Sequence, residues 1–270
     1  MSSSVPAAPT TGYYVSIGDS YAAGYQPTGP MVGHMTTKGF ANDVVTLSKA
    51  KGHTYTLVNF GCGGATSESL LKSNGCIADM RPVNGPTYDV SQAQAAEDFI
   101  KAHAGHIALI TVSIGGNDVT SCGAAKDAVT CLTSKLPTVA ANIRTLLAGV
   151  RAAAGAQTPI VGITYPDVFL GERATGPSAL ADLSVMGFQD FINPTLKGAY
   201  AAQKAVFVDV TAATGAYGSM TDMTTVKPYG ALPTPVAKIC QLTYYCQWKD
   251  IHPRPAGYEL IAQLVVAALG

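Results

Sequence analysis

Residues 13–26 read YYVSIGDSYAAGYQ. A strand-forming run, Tyr13–Ile17, breaks at a single glycine, and a lone serine follows at the lip of the break. Gly18 permits a sharp turn out of the strand. Ser20 then stands near the start of the next segment, where free amide groups and the positive end of a helix dipole favour a developing anion. Two readings are open. Ser20 caps a helix, as serines often do, or it is a nucleophile held at the end of a buried strand.

Working outward, four more continuously apolar runs recur: Tyr55–Phe60, Ile107–Ile114, Pro159–Tyr165 and Ala205–Val210. Short unbroken apolar runs are what parallel strands buried on both faces require. Helix-like segments lie between and after them, at Phe40–Ala50, Val90–His103, Leu136–Ala154, Met186–Lys204 and Pro255–Leu269. The alternation predicts an α/β chain, a three-layer α/β/α sandwich around a central parallel sheet of about five strands. With no internal repeat and no linker, residues 13–270 read as one domain behind a flexible, small and polar start, residues 1–12. Pro166–Val185 and Thr211–Lys249 are too long to be mere connections and are candidates for a substrate wall.

Composition narrows the function classes. The 270 residues carry 17 Lys+Arg and 17 Asp+Glu, a net charge of zero, and no basic or acidic run. A phosphate-binding face needs clustered Lys and Arg, so nucleic acid is not the expected partner. No stretch reaches the ~18 uninterrupted apolar residues of a membrane span. Six cysteines fall into three close pairs: Cys62 and Cys76, Cys122 and Cys131, and Cys240 and Cys246. None has C-x-x-C spacing. Nearest-neighbour pairing would staple three local loops, and buried free thiols are the alternative. Disulfides imply an oxidising compartment and therefore secretion. No metal site and no cofactor are expected, and a monomer is the expected state.

Ligands of an open α/β sheet bind beyond the carboxyl ends of the strands, so the residues after each strand belong together. These are Gly18-Asp19-Ser20, then GCGGAT (61–66), then Gly115-Gly116-Asn117-Asp118, and finally the loop that ends in KDIHP (249–253). An asparagine after a buried strand can donate to an oxyanion, and the glycine loop offers a backbone N–H as a second donor. Each stretch alone reads equally as a turn. A neutral imidazole is the usual base that takes a proton from serine. His34, His53 and His103 have no partner motif, and His106 precedes a strand at the wrong end of the sheet. His252 alone lies just before a terminal helix, where it could reach over the strand ends.

Together, in this order, GDS, the glycine loop, GGND and D-x-H-P resemble the SGNH (GDSL) hydrolase family, over residues 13–269. YxxxGDSYAAG, CGGAT and the local cysteine pairs are similar to the secreted, disulfide-bearing actinobacterial esterases and lipases of that family. The α/β-hydrolase motif G-x-S-x-G is absent. The resemblance implies a flavodoxin-like fold and an ester hydrolase. Ser20 would be its nucleophile and His252 its general base, with an oxyanion hole made by the N–H of Ser20, the N–H of Gly64 and the side chain of Asn117.

Two departures stand out. Gly63 occupies a position where many relatives carry serine. The family spaces its acid as Asp-x-x-His, which would fall on Lys249, whereas Asp250 is two residues before His252. Asp250, serving from a shifted loop, is the expected catalytic acid, and the alternative is a backbone carbonyl, such as that of Lys249, that accepts the imidazole proton. The neighbouring YGALPTP (229–235) and QLTYY (241–245) either line an acyl pocket or pack on the sheet. The expected function is therefore secreted serine esterase or lipase acting on a small-molecule or lipid ester. A carbohydrate esterase and a non-catalytic binding protein with the same fold are the alternatives.

Overall fold

Five of the apolar runs assemble into one parallel sheet in the structure, a computed structural model that describes residues 8–270. The strands in chain order are β1 (Thr11–Gly18), β2 (Tyr25–Gly29), β3 (Val32–Met35), β4 (Thr54–Asn59), β5 (Ile107–Ser113), β6 (Ile160–Ile163), β7 (Val206–Val208), β8 (Met223–Val226) and β9 (Gly230–Pro233). The main sheet has the order β4-β1-β5-β6-β7, while β2–β3 and β8–β9 are separate antiparallel hairpins. From β1 the chain steps outward to β4 and then returns across β1 to β5. The order thus reverses at the crevice beyond β1 and β5, the place where such sheets bind ligands.

Both faces of the sheet are covered, which is why its strands lack polar alternation. Val15, Ile17, Ile110 and Val112 turn to one face and meet the helices Gln92–Ala102, Ala128–Ala154 and Asn193–Ala201. Tyr14, Leu109, Val161 and Val208 turn to the other and meet Phe40–Ala50 and Pro255–Ala267. On this second face the Tyr14 hydroxyl and Thr111 Oγ1 lie 2.9 Å apart across neighbouring strands, so the buried phenol is satisfied.

Several boundaries differ from the sequence reading. β1 opens at Thr11, and residues 1–7 of the expected flexible start lie outside the described residues. The helix expected from Leu136 begins at Ala128, because Asp127 caps it by accepting from the Thr130 N–H at 3.0 Å, and Pro137 is carried inside it. The helix expected from Met186 is the end of a longer helical stretch. It starts at Ala179, widens to a π-turn over Gly187–Ile192 and resumes at Asn193. The segment Thr211–Lys249 is not a loop but the β8–β9 hairpin followed by helices Thr234–Leu242 and Tyr245–Trp248.

The cysteines pair with their nearest neighbours. Cys62 is bridged to Cys76, Cys122 to Cys131 and Cys240 to Cys246, with Cα–Cα separations of 5.9, 5.5 and 5.1 Å. No free thiol remains among the described residues, so the alternative of buried free cysteines is not realised. Each bridge is local. Cys76 ties the segment after helix Ser67–Lys72 back to the turn beyond β4. Cys131, in the first turn of helix Ala128–Ala154, holds the 3-10 turn of Cys122 beyond β5. No helix among the described residues is long and apolar enough to cross a membrane.

Candidate active site

The turn after β1 is held from three sides. Gly18 has φ +149°, a conformation that side chains rarely adopt, and any Cβ there would collide with the Ser113 carbonyl. The Gln92 carboxamide grips the same residue twice, accepting from the Gly18 N–H at 2.8 Å and donating to its carbonyl at 3.1 Å. Asp19 then caps the short helix Ser20–Ala23 by accepting from the Tyr21 N–H at 2.9 Å. Ser20 is therefore the first residue of a helix rather than its cap. Its N–H has no partner within the helix, and its side chain is free to face outward.

His252 arrives from the far end of the chain. Its Nε2 lies 2.9 Å from Ser20 Oγ, and its Nδ1 lies 2.7 Å from Asp250 Oδ1. A carboxylate only accepts, so Nδ1 carries the proton and Nε2 presents its lone pair to the serine. The two-residue spacing works because Lys249 adopts a left-handed conformation, φ +56°. The chain doubles back there, and Asp250 Oδ1 accepts from both the His252 backbone N–H (2.9 Å) and its ring. The Lys249 ammonium turns away to Glu172, at 2.9 Å. The alternative acceptor, the Lys249 carbonyl, is not the one used.

The loop carrying His252 is fixed at three successive carbonyls. Ile251 O accepts from the Tyr21 hydroxyl at 2.6 Å, His252 O from the Tyr244 N–H at 3.0 Å, and Pro253 O from Gln26 Nε2 at 2.8 Å. Tyr21 follows Ser20 directly, so the segment that holds the hydroxyl also holds the imidazole. The Cys240–Cys246 bridge sits just upstream, and closing so short a loop contributes ~2–3 kcal/mol in the chain-entropy picture.

Two carboxyls near His252 differ sharply. Burial pushes Asp250 up, but the hydrogen bonds from His252 outweigh it and leave the carboxyl below its ordinary value. Asp19 is 2% exposed, and burial raises it to about 6 despite a 2.6 Å hydrogen bond from the Tyr165 hydroxyl. Asp250 is thus the one held as an anion against the imidazole.

Asn117 and Gly64 occupy the turns after β5 and β4, either side of β1 in the sheet. Asn117 Nδ2 donates to Ala65 O at 2.9 Å, which ties the two turns together. Asp118 reinforces the tie by accepting from the Ser67 N–H and hydroxyl at 2.8 and 2.7 Å. The Gly64 N–H donates to no partner among the described residues, and a Cβ there would meet open space. Both turns are also stapled from outside, the Gly64 loop through Cys62–Cys76 and the segment after Asn117 through Cys122–Cys131. No group of three or more His, Cys, Asp or Glu side chains among the described residues is arranged to hold a metal ion.

A cavity of about 90 Å³ opens beside Ser20 and Asn117, walled by Val168, Phe169, Leu180, Leu183 and Phe188, with Leu132 and Cys122 among its lining. The first long segment, with the π-turn that follows it, forms the wall. The second does not: Val226, Leu232, Val236 and Cys240 close on one another in a separate apolar cluster, so 229–235 and 241–245 contribute nothing to the pocket lining.

A model of the GDSL-like lipase/acylhydrolase family matches residues 16–260. The chain belongs to that family. Among solved structures, this acylhydrolase is similar to the extracellular lipase of Streptomyces rimosus, at 18% identity and a TM-score of 0.50, covering 96% of this chain and 100% of that one. It is also similar to the aryl esterase of M. smegmatis, at 12% identity and a TM-score of 0.47, covering 95% and 97% of the two chains. No curated protein matches the sequence at a significant level. At 18% identity the Streptomyces structure speaks for the fold alone, and the family match speaks for a hydrolase acting on esters.

Sequence reasoning missed much of what supports this acylhydrolase's site. Tyr21 carries a signal, being the neighbour of the serine in a motif already singled out. Gln92 and Gln26 carry none, because their partners lie 74 and 227 residues away. Asp167 carries none either. It lies beyond β6, fully buried, with one oxygen accepting from Ser184 at 2.9 Å and the other unpartnered among the described residues. Burial pushes its carboxyl up to about 7.

Proposed function

We propose that this chain is a secreted serine esterase or lipase that hydrolyses carboxylic esters of apolar acyl groups through an acyl-enzyme on Ser20, acting as a single domain over residues 13–270. The observation that carries the reading is the hydrogen-bonded series Ser20–His252–Asp250 opening onto an apolar cavity. His252 Nε2 takes the Ser20 proton as Oγ attacks the ester carbon, and the carbonyl oxygen becomes an oxyanion. The Ser20 N–H, the Gly64 N–H and Asn117 Nδ2 receive that charge. Asp250 stabilises the imidazolium, which passes its proton to the alcohol oxygen as the C–O bond breaks. Water then enters, gives a proton to Nε2 and attacks the acyl carbon, releasing the carboxylic acid and restoring Ser20.

The apolar wall favours an alkyl or aryl acyl group over the acetyl groups of a polysaccharide, which need no such cavity. The three disulfides support an oxidising destination and hence secretion. The test is hydrolysis of p-nitrophenyl esters of increasing acyl length by wild type and Ser20→Ala. Turnover by wild type that rises beyond acetyl and disappears in Ser20→Ala supports the reading. Turnover unchanged in Ser20→Ala overturns it.

A further inference from the structure

The apolar cavity lies on one side of Ser20, and His252, Tyr25, Met35 and Met80 are not among the residues that line it. These four lie along the other side. The Tyr25 ring, half-buried, packs on the His252 imidazole with centroids 4.4 Å apart. Across the β2–β3 hairpin Tyr25 pairs with Met35. Gly33 keeps the tyrosine in place, since a Cβ there would stand 2.6 Å from the Tyr25 ring and hydroxyl.

Met35 in turn meets the loop after β4. A Cβ on Gly63 would stand 2.5 Å from Met35 Cε and 2.8 Å from Met80 Sδ. The Gly63 N–H donates to Met80 O at 2.8 Å, which anchors the turn carrying that methionine. Two thioethers thus occupy the space that a side chain at position 63 would fill. The result is a continuous, uncharged edge from the imidazole through Tyr25 and the two methionines to Gly63-Gly64. Met80 is 36% exposed and Tyr25 is half-buried, so the edge opens to solvent at these two residues, while Met35, only 7% exposed, supports them from within.

Ester chemistry says which part of a substrate meets this edge. The departing oxygen takes its proton from His252 Nε2, so the alcohol half must lie on the imidazole side of Ser20 while the acyl half fills the cavity opposite. We propose that Tyr25, Met35 and Met80 form an alcohol-side subsite that selects esters of aromatic or bulky apolar alcohols. An aromatic ring offered to Tyr25 gains an offset or edge contact, and thioethers accept aromatic rings of varied outline. The inference rests on the acyl-enzyme reading and adds the alcohol preference to it.

The test compares benzyl octanoate with ethyl octanoate. The two esters share one acyl-enzyme and have alkoxide leaving groups of similar basicity, so the ratio of their kcat/KM values reports the alcohol side alone. Wild type should favour the benzyl ester. Tyr25→Ala should lower the benzyl-to-ethyl ratio roughly two- to tenfold, the worth of one aromatic contact. Met80→Ala should lower it by a smaller factor, and Tyr25→Phe should keep it. Equal losses on both esters in Tyr25→Ala would mean that the ring only seats His252, and would overturn the subsite, as would an unchanged ratio. Ser20→Ala separates the two failures. Turnover surviving in that variant defeats the acyl-enzyme reading, whereas its loss beside an unmoved ratio defeats the subsite alone.

Discussion

The two flanks of Ser20 are built from different physics. On the imidazole flank, position is set by directed hydrogen bonds, three of them to consecutive carbonyls of the loop carrying His252. On the cavity flank, position is set by packing of Val168 and Phe169, from a 3-10 helix, with Leu180, Leu183 and Phe188, from a helical stretch that widens into a π-turn. Hydrogen bonds fix a geometry to within tenths of an ångström, whereas an apolar wall fixes a volume. Damage to the first should therefore reach turnover, and damage to the second should reach substrate choice.

The largest effect is expected at Asp250. Asp250→Asn keeps the shape but removes the charge facing the imidazolium, and kcat should fall roughly 10³–10⁴-fold, as in serine triads generally. Near-normal kcat would show that orientation by the backbone is enough. Tyr21→Phe deletes only the hydrogen bond to Ile251 O. It should lower kcat about two- to tenfold, the worth of one such bond, with KM little changed. A change confined to KM would place Tyr21 outside the seating of His252.

On the other flank, Gly123→Val should act on selectivity. A Cβ at Gly123 stands 3.2 Å from the Phe169 ring and 3.8 Å from Leu180, so the added methyls must intrude on the cavity. Preference should move to shorter acyl chains by about tenfold per methylene lost, measured as kcat/KM along an acyl series. A uniform loss at every length would contradict the division between flanks.

The smallest effect concerns stability. Asp167 is protonated up to about pH 7 in the fold but only to about 3.8 when unfolded. A raised carboxyl stabilises the fold fully below the unfolded value, and that stabilisation is lost as pH rises through the folded one. Asp167→Asn does not titrate, so its Tm relative to wild type should be higher at pH 8 than at pH 5, by roughly 5–10 °C for the two pH units over which only the unfolded carboxyl is ionised. Thermal melts at the two pH values check this, and a gap that shrinks with pH would reverse the assignment.

How far each flank could be read from sequence follows the same physics. β1, β5 and β6 are buried on both faces, so their composition alone announces them, and the turn residues beyond them carry their own chemistry. Asp250 was legible as the favoured acid from its place two residues before His252, but the means was not, because only the left-handed backbone at Lys249 brings its carboxylate back to the ring. The β2–β3 hairpin was illegible, since Pro27 and Pro30 interrupt a run with no apolar alternation. The cavity wall was legible in part: the length of Pro166–Val185 marked it, whereas the π-turn over Gly187–Ile192, which adds Phe188, breaks the helical period that would have extended it.

The central claim is that His252, held by Asp250, makes Ser20 the nucleophile. The most direct test exposes the protein to a fluorophosphonate and weighs it intact, then maps the modified peptide. The account predicts one adduct per chain, on Ser20, with esterase activity lost in proportion and no adduct in Ser20→Ala. An enzyme that stays active and unlabelled, or that is labelled at another residue, would contradict it.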